Sequence, residues 1–201
     1  MKKIKLFEFS VFIGFIIAIV FSITSFASTC DEIRTDVLRL HVIANSDSEK
    51  DQQLKLKVRD AVLTAGENIF DGSVTRENAE EKIRSEKEKL ETAAKKVIEE
   101  NGFDYDVEIT VTEEFFNTRT YESVTLPAGK YMAVRVLIGE STGRNWWCVM
   151  FPPLCIPASQ TDINLYLDEK EVKLVETNPK YEPRFKIVEI YESLKNRFNN
   201  N

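Results

Sequence analysis

The chain holds one histidine, His41, and three cysteines, Cys30, Cys148 and Cys155. From these types a nucleophilic dyad could be assembled, with Cys148 or Cys155 as thiolate, His41 as base and Asn45 or Asp47 orienting the ring. The competing reading is structural. A lone histidine on a strand is more often hydrogen-bonded to a neighbour, and a cysteine outside the cytoplasm is more often in a disulfide. Metal binding has less to draw on: there is no Cys-x-x-Cys spacing and no His-Glu-x-x-His, and the carboxylates are spread along helices. The seven glycines are scattered and build no phosphate loop, and there is no Gly-x-Ser-x-Gly elbow. The residues supply no catalytic constellation, no metal site and no cofactor site.

Two other stretches could act on a partner. Asn45-Ser46-Asp47-Ser48 stands at a helix start, where outward N–H groups suit an anion or a carboxylate; capping is the plainer explanation. Gly143 to Cys155 gathers both tryptophans, two cysteines and the pair Pro152-Pro153. Rings at such density either plug a core or anchor a partner. Adjacent Trp146 and Trp147 on a strand point to opposite faces, one inward and one outward. Cys148 and Cys155 enclose an eight-residue ring, where a bridge contributes roughly 2.5 kcal/mol by chain entropy. The two prolines favour extended backbone, so the bridge needs a cis X-Pro bond or a sharp turn. Cys30 is then left over as a free thiol.

The elements that must position these residues follow from periodicity. Val37 to Ala44 alternates as a strand, with Leu38, Leu40, Val42 and Ala44 on one face and Arg39 and His41 on the other. Ser46 and Glu49 form a capping box opening a helix whose stripe is Leu54, Val58, Ala61, Val62, Ala65 and Ile69. Asp71-Gly72-Ser73 stops it. A second helix runs from near Thr75 to Gly102 with a solvated Glu/Lys surface. Tyr105–Thr112, Thr118–Leu126 and Tyr131–Ile138 read as strands; the last is central, and Pro127–Lys130 makes a hairpin turn before it. A closing helix from about Arg184 places Phe185, Val188, Tyr191, Leu194 and Phe198 on one seam. The fold class is α+β in a single domain: a strand, two helices, a three-stranded antiparallel run and a C-terminal amphipathic helix.

Residues 1–27 read as an export signal. Lys2, Lys3 and Lys5 precede an uncharged run from Val11 to Phe21, and Ser25-Phe26-Ala27 offers small residues for cleavage before Ser28. An uncleaved N-terminal anchor is the rival, because apolar character persists from Leu6 to Phe26. Either way, residues 28–201 form the working domain outside the cytoplasmic membrane. The net charge of −6 argues against nucleic acid and against binding an anionic bilayer by charge alone.

Leu38-Arg39-Leu40-His41-Val42-Ile43-Ala44-Asn45-Ser46-Asp47-Ser48, with Asp51-Gln52 and Leu54 to Val62, resembles the N-terminal signature of the stage II sporulation protein R family. Asn145 to Cys155 resembles a second motif of that family, Arg184 to Glu189 a third, and Leu126-Pro127-Ala128-Gly129 with Tyr131 also fits. The resemblance implies an endospore-forming bacterium and a signalling protein exported from the forespore into the space between forespore and mother-cell membranes. There it would activate a membrane-embedded aspartic protease that processes the mother-cell sigma factor precursor. The family has no catalytic residues to carry over, and the resemblance implies neither a small-molecule substrate nor a cofactor. On this reading the partner-binding candidates are Trp146, Trp147 and Phe151, with Arg39, His41 and Asn45 as a second patch. Membrane contact would come only through an uncleaved leader. The alternatives are a secreted thiol hydrolase or peptidase using Cys148 or Cys155 with His41, and an envelope-binding protein with its aromatic segment on lipid or cell wall.

Overall fold

The computed structural model describes residues 2–66, 75–121, 124–154, 163–175 and 183–199. Strand β1 (Leu38–Ile43) is buried at every position. It is interior to a four-stranded mixed sheet of order β2-β5-β1-β6. β5 (Gly129–Ile138) runs parallel to β1, with Leu38 beside Met132 and Ile43 beside Leu137. β6 (Asn145–Phe151) runs antiparallel on the other side, with a register shift at Leu38/Arg39. The aromatic segment is therefore a strand of the sheet.

β2 (Val107–Phe116) pairs antiparallel with β5 along its whole length, from Val107 opposite Ile138 to Phe116 opposite Gly129. This corrects the expected three-stranded run. Residues 118–126 do not hairpin onto β5; they form a separate two-stranded unit, β3 (Arg119–Tyr121) against β4 (Val124–Leu126). The reason is coverage. Val124 and Leu126 are buried against Ile33, Val37, Phe116 and Tyr131, capping a sheet face that a fifth in-plane strand would leave bare.

The other face carries α2 (Glu49–Ala65), α3 (Arg76–Ser85) and α4 (Lys87–Glu100). Leu54, Val58 and Val62 of α2, Ile83 of α3 and Leu90, Ala94 and Ile98 of α4 close over Leu40, Val42, Val134, Val136 and Ile109. Ile69 and Asp71-Gly72-Ser73 lie outside the described residues. The α2 cap is one serine later than the sequence pattern: Ser48 accepts from the Asp51 N–H, while Ser46 donates to the Asp51 carboxylate at 2.5 Å. The expected second helix is two helices. Thr75 caps the first, and Glu86 interrupts them where Ser85 Oγ turns back to the Lys82 carbonyl. Gly102, at φ +80°, ends α4 as expected, with Gly102 N–H to Glu99 O and Phe103 N–H to Ile98 O.

α1 (Lys2–Asp36) is one continuous helix through the leader and beyond it. Its last turns put Ile33 and Val37 under the second sheet face, beside a 3-10 turn (Ile163–Leu165) and α5 (Glu169–Val175). Gly129 is required there: its φ is +150°, and a Cβ would lie 2.1 Å from Nε of Arg34, whose guanidinium donates to the Ala128 carbonyl at 3.0 and 2.6 Å. α6 (Pro183–Asn199) keeps only part of its expected seam. Phe185 and Val188 pack on Phe26 and Cys30 of α1, whereas Tyr191, Leu194 and Phe198 face outward. The face of α6 turned to α1 continues instead from Phe185 and Val188 to the buried Glu192, whose carboxylate lies 3.7 Å from the Arg34 guanidinium.

Candidate partner-binding site on the β1–β6 strand pair

Alternation along β6 sends its two indoles to opposite faces. Trp146 lies on the α2 side, 36% exposed, with the Arg59 guanidinium 4.5 Å above its ring centroid. Trp147 lies on the other face, half-buried. It stacks on His41 at 3.6 Å and 16°, meets Phe116 edge-on at 4.9 Å, and lies beneath the Arg119 guanidinium at 5.9 Å. Phe151 is buried, edge-on to Tyr166 at 5.1 Å. Of the three aromatic candidates, Trp146 is the most open, Trp147 is shared between surface and core, and Phe151 is core.

The second patch divides differently. His41 is 3% exposed; its Nδ1 bonds Glu114 Oε2 at 2.8 Å, and Arg135 Nε lies 3.8 Å from the same oxygen. Arg39 is fully buried. Its Nε donates to the Cys148 carbonyl at 3.2 Å and its Nη2 to the Tyr121 hydroxyl at 2.6 Å. The guanidinium carbon lies 4.2 Å from the Phe116 centroid and 5.0 Å from that of Tyr131. Burial pulls the Arg39 pKa below its ordinary value, with the neighbouring tyrosines opposing that trend. Rings and neutral oxygens thus hold this cation, an arrangement in which desolvated cation–π contact contributes about 2 kcal/mol. Arg39 and His41 support the surface from beneath and do not form it in this conformation.

Asn45 staples β1 to the 139–144 turn. Its Nδ2 donates to Asp51 at 3.0 Å, its Oδ1 accepts from the Glu140 N–H at 3.0 Å, and its carbonyl accepts from Thr142 Oγ1 at 2.9 Å. Asp47 accepts from the Arg144 N–H at 2.7 Å, and Lys55 donates to the Arg144 carbonyl at 2.8 Å. Burial pushes the Asp51 carboxyl up, but hydrogen bonds from Ser46, Asn45, Tyr105 and Ser48 outweigh it and hold the pKa below the usual value. Gly143 is obligatory, since a Cβ there would stand 2.2 Å from the Ser46 carbonyl oxygen. The Asn45–Ser48 motif is therefore engaged internally, fixing the turn that leads into Trp146.

The thiol dyad with Cys148 does not form. Cys148 is opposite Leu40 on the helix-covered face, and His41 is on the other; Cys148 is also disulfide-bonded. Cys155 lies outside the described residues, and Cys30 is free and buried. Among the described residues, no group of three His, Cys, Asp or Glu side chains could hold a metal ion. The supporting residues Arg59, Glu114, Phe116, Arg119 and Tyr121 escaped the sequence reading. Only the even-numbered alternation of Glu114 and Phe116 on β2 gave any signal for them.

The structure is thus an α+β domain behind an apolar N-terminal helix, with its one histidine locked under an indole and Cys148 disulfide-bonded. The family is stage II sporulation protein R: its family model matches residues 34–161, and the chain belongs to it. A stage II sporulation protein R of Bacillus subtilis (strain 168) is 37% identical over 123 residues, 61% of this chain and 55% of the relative. The chain thus matches about half the length of that curated relative. No solved structure matches. The two long motifs fall inside the matched residues, and Arg184–Glu189 lies beyond them.

Proposed function

We propose that this protein is an exported sporulation signal. Made in the forespore and delivered to the space between forespore and mother cell, it would activate a membrane-embedded aspartic protease, which then processes the mother-cell sigma factor precursor. It acts as a ligand and not as an enzyme. The observation that carries this reading is family membership, with both family motifs on adjacent strands, β1 and β6. Their junction is a hydrogen-bonded turn that delivers Trp146 to the surface. We assign Trp146 as the principal receptor contact and Trp147 as its support and secondary contact.

A receptor moves from about 1% to about 99% active only if the ligand prefers its active state by roughly 5.5 kcal/mol. One indole in a receptor pocket, with the Arg59 cation beside it, supplies a large part of that in the way hot-spot residues do, at ≥ ~2 kcal/mol each. The test is co-expression of receptor protease and sigma precursor with and without this protein. Cleavage only in its presence supports the reading. Equal cleavage in its absence, or none in its presence, refutes it.

A further inference from the structure

We propose that α1 is retained as a membrane anchor and runs as one rigid helix from the bilayer into the folded domain, so that the signal is tethered and not diffusible. The proposal is independent of the receptor's identity.

The lipid-facing part is a long apolar surface, with one charge, Glu8, at its cytoplasmic end. Phe7, Phe9, Phe12, Phe15 and Phe21 are all exposed. From Phe9 to Phe26 the uncharged helix advances about 26 Å, close to the roughly 30 Å of a bilayer's hydrocarbon core. Lys2, Lys3 and Lys5 precede it on the side that stays in the cytoplasm of the producing cell. A cleavable leader shares these features, so they do not decide the matter.

What distinguishes an anchor is the remainder of the same helix. From residue 15 to residue 36 there is no glycine or proline, and α1 continues unbroken to Asp36. The candidate cleavage residues Ser25-Phe26-Ala27 sit in mid-helix, with Thr29 Oγ1 bonded back to the Ser25 carbonyl at 3.2 Å. Phe26 is buried, edge-on to Phe185 of α6 at 5.3 Å. One turn on, Cys30 is fully buried in the same cluster. Three residues later, Ile33 enters the apolar cluster under the second sheet face. A peptidase takes its substrate extended, so cutting after Ala27 requires unwinding helix and extracting Phe26 from its seat. Loss of residues 1–27 would leave Phe185 and Val188 without that cover.

Ile33 follows Phe26 by about 10 Å of helix, so the domain's core begins close to the lipid surface. The linkage has no hinge: packing at Phe26, Cys30 and Ile33 and the Arg34 bonds to Ala128 fix the domain's attitude to the membrane.

The test is intact-mass spectrometry of the full chain recovered from a sporulating host, combined with alkaline carbonate extraction of its membranes. The expected result is the unprocessed chain, 23.2 kDa, staying with the membrane pellet. A chain beginning at Ser28, or one released by carbonate, overturns the proposal. Ala27→Gln is a second variant, which blocks a small-residue cleavage site while keeping a good helix former at a half-buried position. A mass changed only by the substitution itself supports retention. A mass larger than wild type by the whole leader shows that the wild-type chain is cut, and overturns it.

Discussion

Trp146→Ala and Trp147→Ala, compared side by side, separate the partner-contact role of the aromatic segment from its packing role. Truncating Trp147 removes the stack on His41, the edge contact with Phe116 and the ring under Arg119. Full tryptophan deletions from cores cost about 3–5 kcal/mol. Half-burial puts Trp147 at the low end, about 3 kcal/mol. Trp146 is more open and carries the Arg59 guanidinium over its ring, so its truncation should cost about 1–1.5 kcal/mol, much of it the cation–π contact. For a domain of this size each kcal/mol moves Tm by about 2–4 °C. The expected losses are therefore about 6–12 °C for Trp147→Ala and about 2–6 °C for Trp146→Ala. Thermal melts followed by near-UV circular dichroism measure both. Signalling should rank them in reverse per unit of stability: at limiting ligand, Trp146→Ala should lower protease activation by ~10-fold or more, the scale of one hot-spot residue. A larger Tm loss for Trp146→Ala would refute the assignment of the two indoles to their faces. Full activation by a folded Trp146→Ala protein would remove Trp146 from the receptor contact.

Gly143→Ala should open the turn, because the new methyl meets the Ser46 carbonyl, which is backbone and has nowhere to go; we expect a loss of about 2–3 kcal/mol, and hydrogen exchange of the Gly143 and Arg144 amides should quicken more than that of β5. Asp51→Ala should cost about 2–3 kcal/mol by orphaning Ser46 and Asn45; urea midpoints near neutral pH check it, and since the folded carboxyl titrates below its unfolded value, the deficit should shrink as pH falls through that range. Burial first, then the carboxylates of Asp36, Asp168 and Glu32, push Glu171 up to about 7, against the Asp168 N–H bond. The folded state therefore binds more protons than the unfolded chain between pH about 4.5 and about 7, and stability falls as pH rises through that window. Glu171→Gln should match wild type near pH 5 and exceed its Tm near pH 8; a difference independent of pH would refute the burial argument.

Local pattern made much of this molecule legible. The strand at Val37–Ala44, the α2 stripe, the Thr75 start and the Gly102 stop all rest on periodicity or on a cap, which depend on neighbours in sequence. What failed depends on partners far away. Residues 118–126 carry strand-forming types and sit next to a turn, so proximity suggested a hairpin with β5. The ten-residue match of β2 to β5 wins because it is far longer than the three-residue strand at Val124–Leu126 could offer, and the displaced residues then fold over the exposed face. The seam on α6 failed for a related reason: the buried face runs from Phe185 and Val188 to Glu192, which faces Arg34 of α1, and not through Tyr191 and Leu194.

The site was legible in kind and misjudged in depth. Arg39 and His41 alternate outward from the Leu38–Val42 stripe, which in an edge strand would put them in solvent. β1 is interior, and the second sheet face is roofed by α1, β3–β4 and α5, so the same alternation buries a cation and an imidazole. That burial needs rings around Arg39 and a carboxylate beside His41, and β2 supplies Phe116 and Glu114 from more than seventy positions away in sequence. Trp147 closes this interior over His41, so its outer edge is held in place by groups buried beneath it. Changes at Arg39, His41 or Glu114 should therefore alter signalling through the position of Trp147, and a compensating change on the receptor should not rescue them. Trp146, whose face depends on α2 and the Asn45 turn, should be insensitive to those three and open to such rescue.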